Sequence, residues 1–431
     1  MKGVPSSSPR NSPENLKGLS CLVCSHRNLK NLFVFDCQPV SNRFLFSPGE
    51  KEELFSFQIA MCKTCGLMQI PNPISFRKLK PRFDWISYRE PDSHLAKIAS
   101  SIEELPGIFR NSHVIGISQF DDPLLNHLRN RGFVNVNRWD SRTDLDIEDE
   151  NSKIETIQDQ VSQGKSCGFL KWRGKADLVV GRYILEHAHS PRDFVSSLKS
   201  LLKPGGYLVF EVPDCSLPFQ SFDYSMIWEE HTLYFTPGTF QQSLSIFGLS
   251  NIQILQLQIG SNSCLTGIGR LTENLHPDPI SSPFLEGESS PAEIFARMFP
   301  EKKHALHRFL KNIKRERGKI AVLGAGHCAC TWINLLEVGP LIDFVVDDDP
   351  KKQRGFLPGS KLPIMKSISL VESGAQVCLS SVVPENEEKL LVKNHLFLEN
   401  GGTFWSIFPH SNRALPCLTY FSKEKINHER N

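Results

Sequence analysis

Three groups of residues in this chain have types and spacings that could do chemistry. The first is two close cysteine pairs, Cys21-Leu-Val-Cys24 and Cys62-Lys-Thr-Cys65, the second running into Gly66. Two such knuckles can place four thiolates at the corners of a tetrahedron, the arrangement a closed structural zinc site requires, with no position left open for substrate. A disulfide pair or a redox dithiol would use the same residues, but the polar start of the chain gives no sign of an oxidising compartment. The second group is His187 and the pair Glu230-His231. Near neutral pH an imidazole can exist as a free base able to abstract a proton, although by residue type alone a Glu-His pair equally suits a surface pair or a helix cap. The third is Gly324-Ala325-Gly326-His327 with Ala329 and, after the next apolar run, Asp347. That spacing fits a phosphate-cradling turn with an acidic ribose partner. A nucleotide or nucleotide-sugar, NAD(P), or a purely structural tight turn are all compatible with it.

These residues need a framework, and composition limits which one. Lys and Arg total 49 against 47 Asp and Glu, a net charge of +2, so there is no global basic field for nucleic acid. Apolar residues are 40% of the 431, an ordinary globular share, and no run of eighteen could form a membrane span. Residues 1–18 read as a disordered leader and 417–431 as a polar tail. The remaining cysteines (Cys37, Cys167, Cys215, Cys264, Cys328, Cys330, Cys378 and Cys417) are scattered and read as reduced, which points to the cytoplasm.

Between the chemistry-bearing groups, strands and helices alternate. Helical spacing marks 94–105, 123–131 and 191–202; apolar runs at 113–117, 134–139, 175–180 and 207–212 read as strands, with a Lys203-Pro-Gly-Gly206 turn before the last. A second strand–glycine turn–helix unit starts at Lys319. The expected fold is α/β: a small zinc-binding module (19–75), then two Rossmann-like doubly wound α/β domains (76–270 and 292–416) joined by a polar linker (271–291).

Ala176–His187 followed by Leu201–Pro213 resembles the fourth and fifth strands of a class I S-adenosylmethionine (SAM) methyltransferase. Three further stretches narrow the resemblance to the sugar C-methyltransferases: Cys21–Gln69 with Gln38-Pro-Val-Ser-Asn42 inside it, Ile227–Phe235, and Asp347–Gly359. The resemblance spans about residues 20–415. It implies SAM as cofactor, structural Zn²⁺, and methylation of carbon beside the ketone of a nucleotide-linked keto-sugar. It further implies a small-molecule partner and a monomer or weak homodimer.

Residue by residue, the resemblance gives Glu230, His231, His187 and, more loosely, Tyr88 as catalytic groups. It gives Gly116, Ser118, Asp121, Asp140 and Asp177 as cofactor contacts, and Gly324, Gly326, His327 and Asp347 as substrate contacts. It places Glu230 and His231 together, which requires a bend, since in an extended strand they would face opposite ways. The chain departs from the family where the first cofactor loop reads Ile117-Ser-Gln-Phe-Asp-Asp122, with Ser118 and Asp122 in place of glycines. Trp228 stands for a tyrosine, and Ile259–Ser263 for a His-Gly-Gly-Ser segment. Two other classes stand beside this one: a binding or scaffold protein that keeps the fold but has lost cofactor binding through the altered loop, and an NAD-dependent oxidoreductase built on Gly324, Gly326, Ala329 and Asp347.

Overall fold

The computed structural model describes residues 16–82, 92–145, 147–148, 154–162, 174–272 and 290–418. Tyr88, Cys167, residues 1–15 of the leader, nearly all of the 271–291 linker and most of the polar tail lie outside the described residues.

Three sheets organise the chain. The first is antiparallel: β1 (Leu29–Gln38), β2 (Phe55–Cys62), β3 (Met68–Gln69) and, from far along the chain, β8 (Leu233–Tyr234), in that order. Aromatic residues on β1 and β2 pack against the 27-residue helix Pro291–Arg317, with the Phe33 and Phe299 rings edge-to-face at 5.5 Å. A burial of this kind contributes about 0.5–1.5 kcal/mol beyond its apolar area.

The central sheet runs β5 (Val136–Arg138), β4 (Val114–Gly116), β6 (Ala176–Arg182), β7 (Leu202–Pro213), β10 (Asn262–Leu271), β9 (Leu249–Ile259). Its first four strands are parallel, and β10 and β9 are antiparallel. Apolar side chains cover both faces, as a parallel sheet flanked by helices demands. The expected Lys203–Gly206 turn is a bulge within β7: pairing jumps from Ala176–Leu202 to Leu178–Tyr207, so four residues loop out without ending the strand.

The third sheet is wholly parallel: β13 (Ile364–Met365), β12 (Phe344–Val346), β11 (Lys319–Leu323), β14 (Ala375–Ser380), β15 (Thr403–Ser406). In sequence order its strands run 3-2-1-4-5, a doubly wound arrangement that puts functional loops at the carboxyl end of β11. The fold is thus the expected α/β class. What the sequence did not show is that β8, two residues after His231, completes the first sheet, so the cysteine module holds the His231 segment directly.

Candidate active site

The four cysteine sulfurs lie within 4.8 Å of one another, and two of the pairs, Cys21–Cys65 and Cys24–Cys62, are 3.6 and 3.5 Å apart. Zinc–sulfur bonds of ~2.3 Å imply a tetrahedron edge of about 3.8 Å, so the donor set fits the ion. Gly66, at φ 74°, lets its N–H reach the Cys62 carbonyl at 2.7 Å. Gln69 links this cluster to the sheet: its Nε2 donates to Cys21 Sγ (3.1 Å), and its Oε1 accepts from Leu22 N (2.7 Å). Met68 and Gln69 pair with Tyr234 and Leu233, and Ile70 N donates to the Thr232 carbonyl.

Thr232 also fixes the loop that carries His187. Its N–H and hydroxyl both donate to the Glu186 carbonyl, and the hydroxyl reaches the Ala188 carbonyl at 2.8 Å. Upstream, Tyr183 ends β6 at φ 50°, a left-handed conformation costly for a side-chain-bearing residue and common at functional sites. The Trp228–His231 segment turns back on itself, His231 N donating to the Trp228 carbonyl (3.0 Å), which is the bend the Glu230-His231 pairing required.

These constraints bring His187 and His231 together, edge to face with ring centres 4.6 Å apart. Trp228 lies between their loop and the C-terminal unit, stacked on His327 at 4.2 Å and 16°. The indole Nε1 is buried without a hydrogen-bond partner among the described residues. His187 Nδ1 lies 3.0 Å from Glu155 Oε1, both groups buried. Burial alone would lower His187, but the Glu155 carboxylate more than offsets it and raises the imidazole above its ordinary value. His231 goes the other way: burial, then the charges of His187 and His327, hold it well below the ordinary value, as a neutral base. Burial likewise lowers His327, to about 4.

Glu230 is placed differently from its expected role. Its carboxyl accepts from Asn42 Nδ2 (2.9 Å) and clusters with Glu155 and His187 instead of orienting His231. Burial and the neighbouring Glu155 and Glu229 raise it well above the usual carboxylate range, so it stays protonated. Glu229 accepts from the Ser41 hydroxyl (3.0 Å) and backbone N–H, and burial pushes it up to about 7. Asn42 and Ser41 belong to the Gln38–Asn42 stretch that carried the resemblance. Glu155 was not found: its helix, Ile154–Ser162, is short and flanked by polar sequence, leaving little periodic signal.

The expected cofactor residues divide. Asp121 is fully buried, its Oδ2 accepting from Ile117 N and Ser118 N (2.6 and 2.8 Å) and its Oδ1 from Arg182 N (2.7 Å). It therefore ties the altered loop to β6, and burial pushes it up to about 7. A Cβ at Gly116 would lie 2.7 Å from Leu125 Cδ1, so that glycine serves helix–strand packing. Ser118 is buried and caps the turn Gln119–Asp121. Asp122 pairs with Arg138 (2.9 Å). Asp140 stands exposed at the carboxyl end of β5, one oxygen taken by Arg142 N, Thr143 N and the Thr143 hydroxyl. A carboxylate there, at the carboxyl end of the parallel strands, fits the ribose hydroxyls and cation of SAM. Asp177 must be removed from the set: it lies at the amino end of β6, accepting from His113 N (2.8 Å) and Lys203, and the cofactor crevice is at the other end.

Beneath the crevice, Arg182 donates to Glu211 through Nε (2.7 Å) and Nη2 (3.1 Å), and to the Phe120 carbonyl through Nη1 (2.5 Å). His94 Nε2 meets Glu211 Oε1 at 2.9 Å. Burial would raise Glu211, but His94 and Arg182 outweigh it and bring it down to about 2. Because the folded value is depressed, its stabilisation is complete above the ordinary carboxylate pKa and is lost as pH falls toward about 2. Glu211→Gln leaves Arg182 underpaired in the core and is expected to cost ~3–5 kcal/mol, measured by denaturant unfolding at pH 7.

In the C-terminal unit, Gly324 has φ 100°, and a Cβ there would lie 2.8 Å from Ser381 Oγ. Asp347 does not stand free for a ribose. Its Oδ2 accepts from Ala325 N (2.8 Å) and Lys352 Nζ (3.2 Å), and its Oδ1 from Asp349 N (2.9 Å), tying down the glycine turn. His327 turns to Trp228, away from the turn's phosphate position, while the space over Gly326 is open.

Comparison with known proteins agrees with this architecture. The profile of the C-methyltransferase C-terminal domain matches residues 288–409, and that of a methyltransferase domain matches residues 84–254. The C-methyltransferase NovU of Streptomyces niveus is 22% identical over 399 residues, covering 89% of this chain and 94% of that protein. Among solved structures, an O-methyltransferase family protein from Burkholderia thailandensis is 20% identical at a TM-score of 0.27; the match covers 42% of this chain and 59% of that one. Magnesium protoporphyrin IX methyltransferase (ChlM) from Synechocystis PCC 6803 is 14% identical at a TM-score of 0.28, with 42% and 83% covered. With both domain profiles in place, in order, and a C-methyltransferase relative matched along nearly its whole length, the chain is a SAM-dependent methyltransferase that carries a C-methyltransferase C-terminal domain.

Proposed function

We propose that the protein methylates the carbon beside the ketone of a nucleotide-linked keto-sugar. The observation that carries this reading is the apposition of a neutral His231 to a charged His187, 4.6 Å apart, beside a buried indole N–H. His231 removes the proton from carbon. The electron pair moves to oxygen, where the His187 imidazolium and the Trp228 N–H stabilise the enolate. An unsatisfied buried N–H costs about 1–3 kcal/mol, a cost a substrate oxygen would relieve. SAM, when bound, supplies an electrophilic methyl group and leaves as S-adenosylhomocysteine. His231 retains some exposed surface, so its proton can return to solvent. The open space over Gly326 gives room for the nucleotide portion. No helix among the described residues is long and apolar enough to cross a membrane. Its place would be the cytoplasm, acting on a small molecule as a monomer or weak homodimer, with zinc in a structural role.

Two measurements follow. In heavy water, with a panel of nucleotide-linked keto-sugars, the enzyme should exchange deuterium into the position beside the ketone; no exchange and no turnover with any of them would remove the reading. The pH profile of kcat/KM should be bell-shaped. The acid limb falls as His231 protonates, well below pH 6.5, and the alkaline limb falls as His187 loses its proton, above 6.5.

A further inference from the structure

We propose that Glu155 is the positioning residue of this site: it fixes the protonation of both His187 and Glu230, and so determines which of the two histidines can act as base. Its role rests on the C-methylation reading, but the placement stands on geometry. The Glu155, His187 and Glu230 donor atoms all lie within 4.8 Å of one another, and all three side chains are buried. The Ile154–Ser162 helix presents Glu155 through its first turn, and Gln158 on the same helix accepts from His189 N (3.1 Å), so the helix is tied to the His187 loop.

The charges close around this residue. Glu155 would rise on burial, but contact with His187 outweighs that and keeps it an anion. One negative charge thus faces one imidazolium on one side and one protonated carboxyl, Glu230, on the other. Other titratable groups surround His187. Glu186 and His189 lie on its own loop, His231 on the facing turn, and His327 reaches in from the C-terminal unit. His187 and His231 are equivalent by residue type. With Glu155 paired to His187, a second positive charge on His231 is opposed by its neighbour, and the division of labour follows. Without Glu155, burial acts on His187 against only the smaller pull of Glu186 and the Glu230 backbone, and the electrophile loses its charge.

The test is a titration of the full-length protein carrying carbon-13-labelled histidine, with the His187 signal assigned by its loss in His187→Gln. In the wild type His187 should titrate above the ordinary imidazole value. In Glu155→Gln it should titrate below it, and the alkaline limb of the kcat/KM profile should move to lower pH. Glu155→Asp, which keeps the charge on a shorter arm, should give an intermediate His187 value and preserves the test if the glutamine variant does not fold. An unchanged His187 titration in either folded variant overturns the proposal. Because the titration needs no substrate, it holds or fails separately from the assignment of the reaction.

Discussion

Replacing His231 by alanine is expected to lower kcat/KM for methyl transfer by ~10²–10⁴-fold, the usual range for a general acid–base group, while leaving the thermal unfolding midpoint nearly unchanged. His231 makes its one backbone bond through N–H to the Trp228 carbonyl, which alanine keeps. Its ring meets His187, Trp228 and Tyr234 through aromatic faces and edges. Deuterium exchange beside the ketone should fall in parallel with turnover, because both need the same proton abstraction. His231→Gln tests the same point with a side chain that fills more of the space. Exchange and methyl transfer at wild-type rates in both variants would place the base elsewhere, and Glu230, whose high proton affinity comes from burial, would be the next group to test.

The second large effect is expected at the cysteine cluster, far from His187 and His231 in sequence yet bonded to the His231 segment through the sheet. Cys62→Ser or Cys65→Ser removes one of four soft donors, and loss of a structural zinc is among the few single changes that cost more than ~4 kcal/mol. Cys62 ends β2, which pairs with β3, which pairs with β8, whose first residue follows Thr232. Activity should therefore disappear together with metal content. Elemental analysis should find one zinc per wild-type chain, and chelation should lower the melting temperature and abolish turnover in the same titration. A chelated protein that keeps full activity would break the link between cluster and site.

How much of this was legible beforehand depends on the range of the interactions concerned. The cysteine knuckles, the parallel strands and the glycine turn are local patterns of period or spacing, and they could be read from residues close in sequence. His187 and His231 could be named because a motif carried them. Glu155 could not, since its importance comes from meeting His187 and Glu230 across the fold, and a short helix with polar flanks gives no sign of that. Asp177 failed for a directional reason: residue type suggested a cofactor acid, but only topology shows which end of β6 it occupies. Asp121 and Asp347 serve differently from the expectation: each accepts from its own loop's backbone amides and so shapes the loop. The substitutions at Ser118 and Asp122, which looked damaging as sequence, are accommodated by a capped turn and an ion pair to Arg138.

The most direct test of the account is to supply SAM with a carbon-13-labelled methyl group, together with each of a panel of nucleotide-linked keto-sugars, and to follow the label by NMR. The account predicts a methyl resonance bonded to the carbon beside the ketone, absent from the His231→Ala reaction. A label found on oxygen, or carbon methylation that persists at full rate without His231, would contradict it.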